Sequence, residues 1–130
     1  MNRFQTIVPH DLATTKQRFA EALSHHGFGI LSEIDVKATL AAKLGVEHEE
    51  HRILGVCKPT LAKQALDFDR DIALLLPCTA TLRSVEGGTE VAIIDPETVF
   101  ALASEAAREH LAEVAIDARA SLKAALDELS

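Results

Sequence analysis

HRILGVCKPTLAKQALDFDRDIALLLPC, residues 51–78, holds both cysteines of the chain, each closing an apolar run. HRILGVC (51–57) has the branched, apolar content of a strand, and Gly55 inside it marks a bulge or a close approach of backbone. PTLAKQALDF (59–68) begins with a proline, which is tolerated at the first helical position, so Cys57 stands just before a helix start. DIALLLPC (71–78) reads as a further strand interrupted by Pro77, which implies an edge, a bulge or a strand end. The segment is therefore strand, helix, strand, with a thiol at the end of each strand.

Upstream, RFQTIVP (3–9) alternates Phe4, Thr6 and Val8 with Arg3, Gln5 and Ile7 before a proline, the pattern of a first strand. From Asp11 the period changes. Leu12, Thr15, Phe19, Ala22, Leu23 and His26 recur at helical spacing, and Gly27 follows where a left-handed residue ends a helix. FGILSEIDV (28–36) returns to period two, with Phe28, Ile30, Ile34 and Val36 on one side and Leu31, Glu33 and Asp35 on the other. Asp35 is also placed to cap a short helix over VKATLAAKL that Gly45 ends.

Downstream, TATLRSVEGGTEVAIID (79–95) is two extended segments around Glu86-Gly87-Gly88, the pattern of a β-hairpin. Asp95-Pro96 supplies a cap and a first-turn proline. The Ala-rich remainder carries Leu111, Val114, Ala118, Leu122, Ala125 and Leu129 on one stripe, which predicts a single long helix to the end.

With 130 residues, 48% of them hydrophobic and 25% charged, and with no internal repeat or linker, the expectation is one globular domain that needs no disulfide or metal to fold. Thirteen Lys and Arg against twenty Asp and Glu leave a net charge of −7, and five Phe with no Trp or Tyr offer bases little to stack on. Nucleic acid is thus not an expected partner. The first residues lack an apolar leader and IALLL is too short to span a bilayer, so the expectation is a cytoplasmic chain without membrane contact, its cysteines as thiols.

GFGILSEIDVKATLAAKLGV, HRILGVCKPTLAKQAL and IALLLPC, in that order, resemble the DUF302 family, a domain of unknown function, over roughly residues 6–95. The positions that carry the resemblance are Glu33, Asp35, Lys37, Lys43, Gly45, Arg52, Gly55, Cys57, Pro59, Leu61, Ala62, Leu66, Leu75, Pro77 and Cys78. It implies an α+β fold of β-α-β4-α order, similar to that of TATA-binding protein, with a curved, mainly antiparallel sheet and helices packed on one face. It also implies a homodimer, whose small size and Ala-rich last helix suit close packing. DNA binding does not transfer with the fold, given the acidic charge.

Of the positions carrying the resemblance, the acids, Lys37, Arg52 and the two cysteines can do chemistry. A helix start behind Cys57 and the ammonium of Lys58 beside it both favour thiolate, so Cys57 is expected to titrate below an ordinary thiol; the competing reading is a small core residue. Cys78, without a basic neighbour in sequence, reads more readily as core. If the strands ending in the two cysteines run parallel, the sulfurs approach disulfide distance; if they are antiparallel neighbours, about 20 Å separates them, and the resemblance favours the second. Glu33, Asp35 and Lys37, two apart, would share one strand face and bind a polar ligand together with Arg52. EHEEHR places His48 and His51 three apart with neither spacing of the common zinc-protease motifs, and reads as a solvated charged loop. His25-His26 reads as a helix end.

No catalytic set, phosphate loop, dinucleotide fingerprint or zinc-type cysteine cluster is recognisable, and no cofactor is assigned. The leading expectation is a non-catalytic domain that binds a small ligand, a soft metal or a sulfur species near Cys57, with Cys78, Glu33, Asp35, Lys37 and Arg52 as further candidate ligand-binding residues. Two alternatives stand beside it. One is a thiol-dependent redox or sulfur-transfer enzyme with Cys57 as catalytic nucleophile; the other is a structural or regulatory partner-binding module with inert cysteines.

Overall fold

In the computed structural model, which describes residues 1–129, five strands form one sheet: β1 (Arg3–Val8), β2 (Gly29–Asp35), β3 (His51–Cys57), β4 (Cys78–Val85) and β5 (Gly88–Ile94). Their order is β1-β5-β4-β3-β2, and each neighbouring pair is antiparallel. The helices are α1 (Leu12–Ser24), α2 (Val36–Leu44), α3 (Pro59–Phe68), α4 (Pro96–Phe100), α5 (Glu105–His110) and α6 (Ala112–Asp127). The fold is α+β, as the sequence indicates.

The main core lies between the sheet and the pair α1 and α6. Phe19 and Leu23 of α1, Leu54 and Val56 of β3, Leu82 of β4, Ile93 of β5 and Leu122 of α6 are all buried in it. Burial of one such side chain is worth about 1.5–3 kcal/mol. α1 starts where Asp11 accepts a hydrogen bond from the Thr14 amide at 2.8 Å. Its far end is tied to the end of α6, because His25 Nδ1 and His26 Nε2 meet the two carboxylate oxygens of Glu128 at 2.9 and 2.8 Å. A second, smaller core joins Ala65 of α3 and Ile72 with Phe100, Ala107, Leu111, Val114 and Ala115 of the C-terminal helices.

The hairpin over residues 79–95 forms as expected, with Val85 opposite Gly88. Asp35 caps α2 through the Ala38 amide, and Gly45 ends it at φ 64°. Three expectations are corrected. DIALLLPC is not a strand: Arg70–Leu75 form a 3₁₀ turn capped by Asp69 through the Asp71 amide, and β4 begins only at Cys78. A continuous apolar run has no period to tell the two apart. Here Ile72 is buried while Leu74 is 86% exposed, an asymmetry that a turn accommodates.

The C-terminal region is three helices, not one. Ser104 accepts from the Ala107 amide at 3.2 Å and so starts α5 as a new helix. The apolar stripe itself is as read, with Leu111, Val114, Ala118, Leu122 and Ala125 buried.

The faces of β2 are exchanged after Ile30. A bulge between Ile30 and Ser32 leaves Leu31 as an extra residue, 64% exposed. One added residue inverts the alternation. Glu33 and Asp35, opposite Leu54 and Arg52, therefore lie on the helix-covered side, while Ile34, 51% exposed, faces the other.

Candidate functional site

At β3 the sheet has no room for a side chain on residue 55. A Cβ there would meet Ser32 Oγ and the ring of Pro77, which explains Gly55 as a close approach. Pro77 thus lies on β3, and the chain enters β4 with Cys78 directly opposite Val56. Because the strand begins at Cys78 rather than ending there, antiparallel pairing brings the two cysteines to the same end of the sheet. The expected separation of about 20 Å depended on the fourth strand starting earlier, and is corrected.

Both cysteines line one small pocket of about 20 Å³, whose other walls include Phe28, Val56, Lys58, Leu61, Ala62, Leu76, Phe100, Val114 and Ala118. It sits where the two cores meet, since Phe28 and Ala118 belong to one and Phe100 and Val114 to the other. A space of this size holds about one water molecule or one ion. Cys57 is half-buried and Cys78 buried, and both are free thiols.

Burial, not the helix start, sets their acidity. Desolvation raises Cys57 above its ordinary value, opposite to the expectation for that residue. Lys58 does not offset this: its ammonium is turned to Asp117 of α6, with Nζ 3.2 Å from Oδ1. Cys78 is pushed up to about 11, first by desolvation and then by the neighbouring charge of Cys57. Since the thiolate is the species that alkylates, both cysteines of the folded protein should react more slowly with iodoacetamide at neutral pH than a free thiol does. Cys57 should still react well before Cys78, with rates rising as pH rises toward each raised pKa. Peptide mass mapping over a pH series reads this directly, and a Cys57 that titrates below an ordinary thiol would contradict it.

The charged candidates form a separate cluster at the other end of β3, about 16 Å along the strand from Cys57. Arg52 Nη1 donates to Glu33 at 2.8 Å, and Arg52 Nη2 lies 3.3 Å from Asp35 and 3.7 Å from Glu50. Lys16 of α1 pairs with the other Glu33 oxygen. These hydrogen bonds, that from Lys16 foremost and then that from Arg52, hold Glu33 below the usual carboxylate range. Lys37 is not on the strand face. It belongs to the first turn of α2, with Nζ 3.5 Å from Glu50. The cluster borders an open groove along α1, but its charges are engaged with one another, and partly exposed pairs of this kind are worth about 0.2–1 kcal/mol each.

Lys16 and Glu50 were not legible as members, because both join only through tertiary contact. Phe100, Val114 and Ala118 likewise reach the thiol pocket from the far end of the chain.

With five antiparallel strands in this order and α1 and α6 on one side, the geometry can be set beside known proteins. Residues 4–129 match the family described as "Domain of unknown function DUF302". The chain belongs to the DUF302 family. A solved structure, the crystal structure of an uncharacterized conserved protein DUF302 from Bacillus stearothermophilus, is similar to this DUF302 chain at 27% identity and a TM-score of 0.88. The likeness covers 100% of this chain and 99% of that one. No curated protein matches it. Among the described residues, no helix of this DUF302 protein is long and apolar enough to cross a membrane.

Proposed function

We propose that this DUF302 protein binds a soft, thiophilic metal ion of the Cu(I) class between Cys57 and Cys78. The observation that carries the reading is that the only two cysteines of the chain line the same ion-sized apolar pocket. Thiolate sulfur selects soft ions, and Cu(I) displaces the thiol protons even where burial has raised their pKa; two protons leave for solvent per ion bound. The apolar walls disfavour hard, strongly hydrated cations. The bound unit, two thiolates and one monovalent ion, keeps one negative charge; Lys58 also lines the pocket, with its ammonium paired to Asp117. The raised pKa values of both thiols weigh against a thiolate nucleophile working at neutral pH, so binding is the better reading than a thiol enzyme.

The test is anaerobic titration of the reduced protein with Cu(I) against a colorimetric Cu(I) chelator. One ion per chain is expected, weakened by at least about tenfold in Cys57→Ser, since loss of an outer-shell partner alone costs about 10–100-fold. Cys57 is half-buried, so the serine variant should keep its circular dichroism, whereas Cys78→Ala serves as the second variant. Unchanged Cu(I) affinity in the folded Cys57→Ser, Cys78→Ala double variant would sink the reading.

A further inference from the structure

The turn that leads into β3 carries VEHEEH, residues 46–51, and the fold gives it a geometry that its sequence spacing does not. His48 Nε2 lies 3.1 Å from His51 Nδ1, with the rings stacked at 14° and both half-buried. A ligand atom of Glu49 falls within 4.8 Å of a ring nitrogen of each histidine. Two imidazole nitrogens each about 2.1 Å from a metal ion, at tetrahedral or right-angle geometry, are about 3.0–3.4 Å apart. The two nitrogens share a direct N–H···N hydrogen bond, and their spacing also falls in the range that an ion held by both would need, the ion taking the place of the shared proton.

The segment is also held in place. The Ser84 amide donates to the Glu50 carbonyl at 2.9 Å, extending the β3–β4 pairing past His51 into this turn. Arg83, opposite His51 in β4, lies 3.5 Å from one Glu49 oxygen and 3.1 Å from Glu90. The Glu49 carboxylate thus has a charged partner of its own, as ligating carboxylates usually do. Arg83 adds positive charge near the cluster, but Glu90 and Glu49 both face it, and Glu47 and Glu50 flank the histidines in sequence.

We propose that His48, Glu49 and His51 bind one borderline divalent ion, Zn(II) or a chemical equivalent such as Co(II), with water completing the shell. Imidazole and carboxylate suit these ions, and three protein ligands leave a fourth tetrahedral position open. The site is independent of the thiol pocket: it lies at the opposite end of β3 and uses neither cysteine.

Metal-stripped, reduced full-length protein is titrated with Zn(II) against a chromophoric chelator, and with Co(II) by visible spectroscopy. The expected results are one saturable Zn(II) site and tetrahedral Co(II) d–d bands without a thiolate-to-cobalt charge-transfer band. His48→Ala and His51→Ala should each weaken binding by at least about tenfold, on the same outer-shell argument, with Glu49→Gln weakening it as well. His48→Gln, closer in shape to the native residue, serves if the alanine variant does not fold. The Cys57→Ser, Cys78→Ala double variant should bind Zn(II) as the wild type does. Absence of saturable binding to folded wild-type protein, or affinity unchanged in folded His48→Gln and His51→Ala, overturns the proposal. Binding lost only with the cysteines overturns it too, and places the divalent ion in the thiol pocket instead.

Discussion

Gly88→Ala is expected to lower the unfolding free energy by about 2–6 kcal/mol, the sum of backbone strain of about 1–3 and overpacking of about 1–3. Gly88 has φ 150°, and a Cβ on it would collide with the Val8 carbonyl oxygen and come within 3.0 Å of Pro9 Cα. The obstacle is backbone, so no side chain can rotate away. Relief would require β1 to move from β5 at the Val8–Thr89 pair. There the buried Thr89 hydroxyl donates to the His10 carbonyl at 2.9 Å and closes the chain reversal after β1. Gly87 is the internal control. It has φ 89°, with nothing near its absent side chain, so Gly87→Ala should cost strain alone. Urea unfolding followed by circular dichroism measures both through the midpoint at constant slope. A Gly88→Ala midpoint no lower than that of Gly87→Ala would show that the crossing yields easily.

Phe19→Ala should cost about 3–5 kcal/mol, against a total stability of about 5–15 for a domain of this kind. Phe19 is wholly buried on α1 in the core that the helix pair shares with the sheet. Its removal loses the transfer free energy of the ring and leaves a cavity, because α1 is held at one end by the Asp11 cap and at the other by the His25 and His26 bonds to Glu128. A helix pinned at both ends relaxes little into the space. The comparison is Ile7→Ala on the open side of the sheet, where the side chain is 57% exposed and the change should stay within about 1 kcal/mol. Equal costs for the two would mean that the core is not where the stability resides.

Much of the architecture was legible because it is local. Strand and helix periods over residues 3–26, the caps at Asp35 and Asp95, the left-handed Gly45 and the hairpin around Glu86-Gly87-Gly88 each depend on residues within a few positions of one another. The same is true of the buried stripe of α6, although its isolation as a separate helix was not read. The signal for that break, Ser104 as a cap, was present within an Ala-rich stretch whose propensity argued for continuity.

The candidate site was legible only as a set of residue types. Cys57 and Cys78 were identifiable as candidates, Cys78 more readily as core, but their meeting depended on where β4 begins, and IALLL carries no period from which to read it. Likewise one bulged residue, Leu31, decided that Glu33 and Asp35 face α1. The sequence by itself determined the α+β class, the elements from β1 to α3 and the hairpin, since these follow from short-range periodicity and capping. Tertiary structure alone decided the register that joins the thiols, the burial that outweighs the helix dipole at Cys57, and the facing of His48 toward His51. Each is a balance between groups far apart in the chain, where desolvation and steric fit act through whatever the fold brings near.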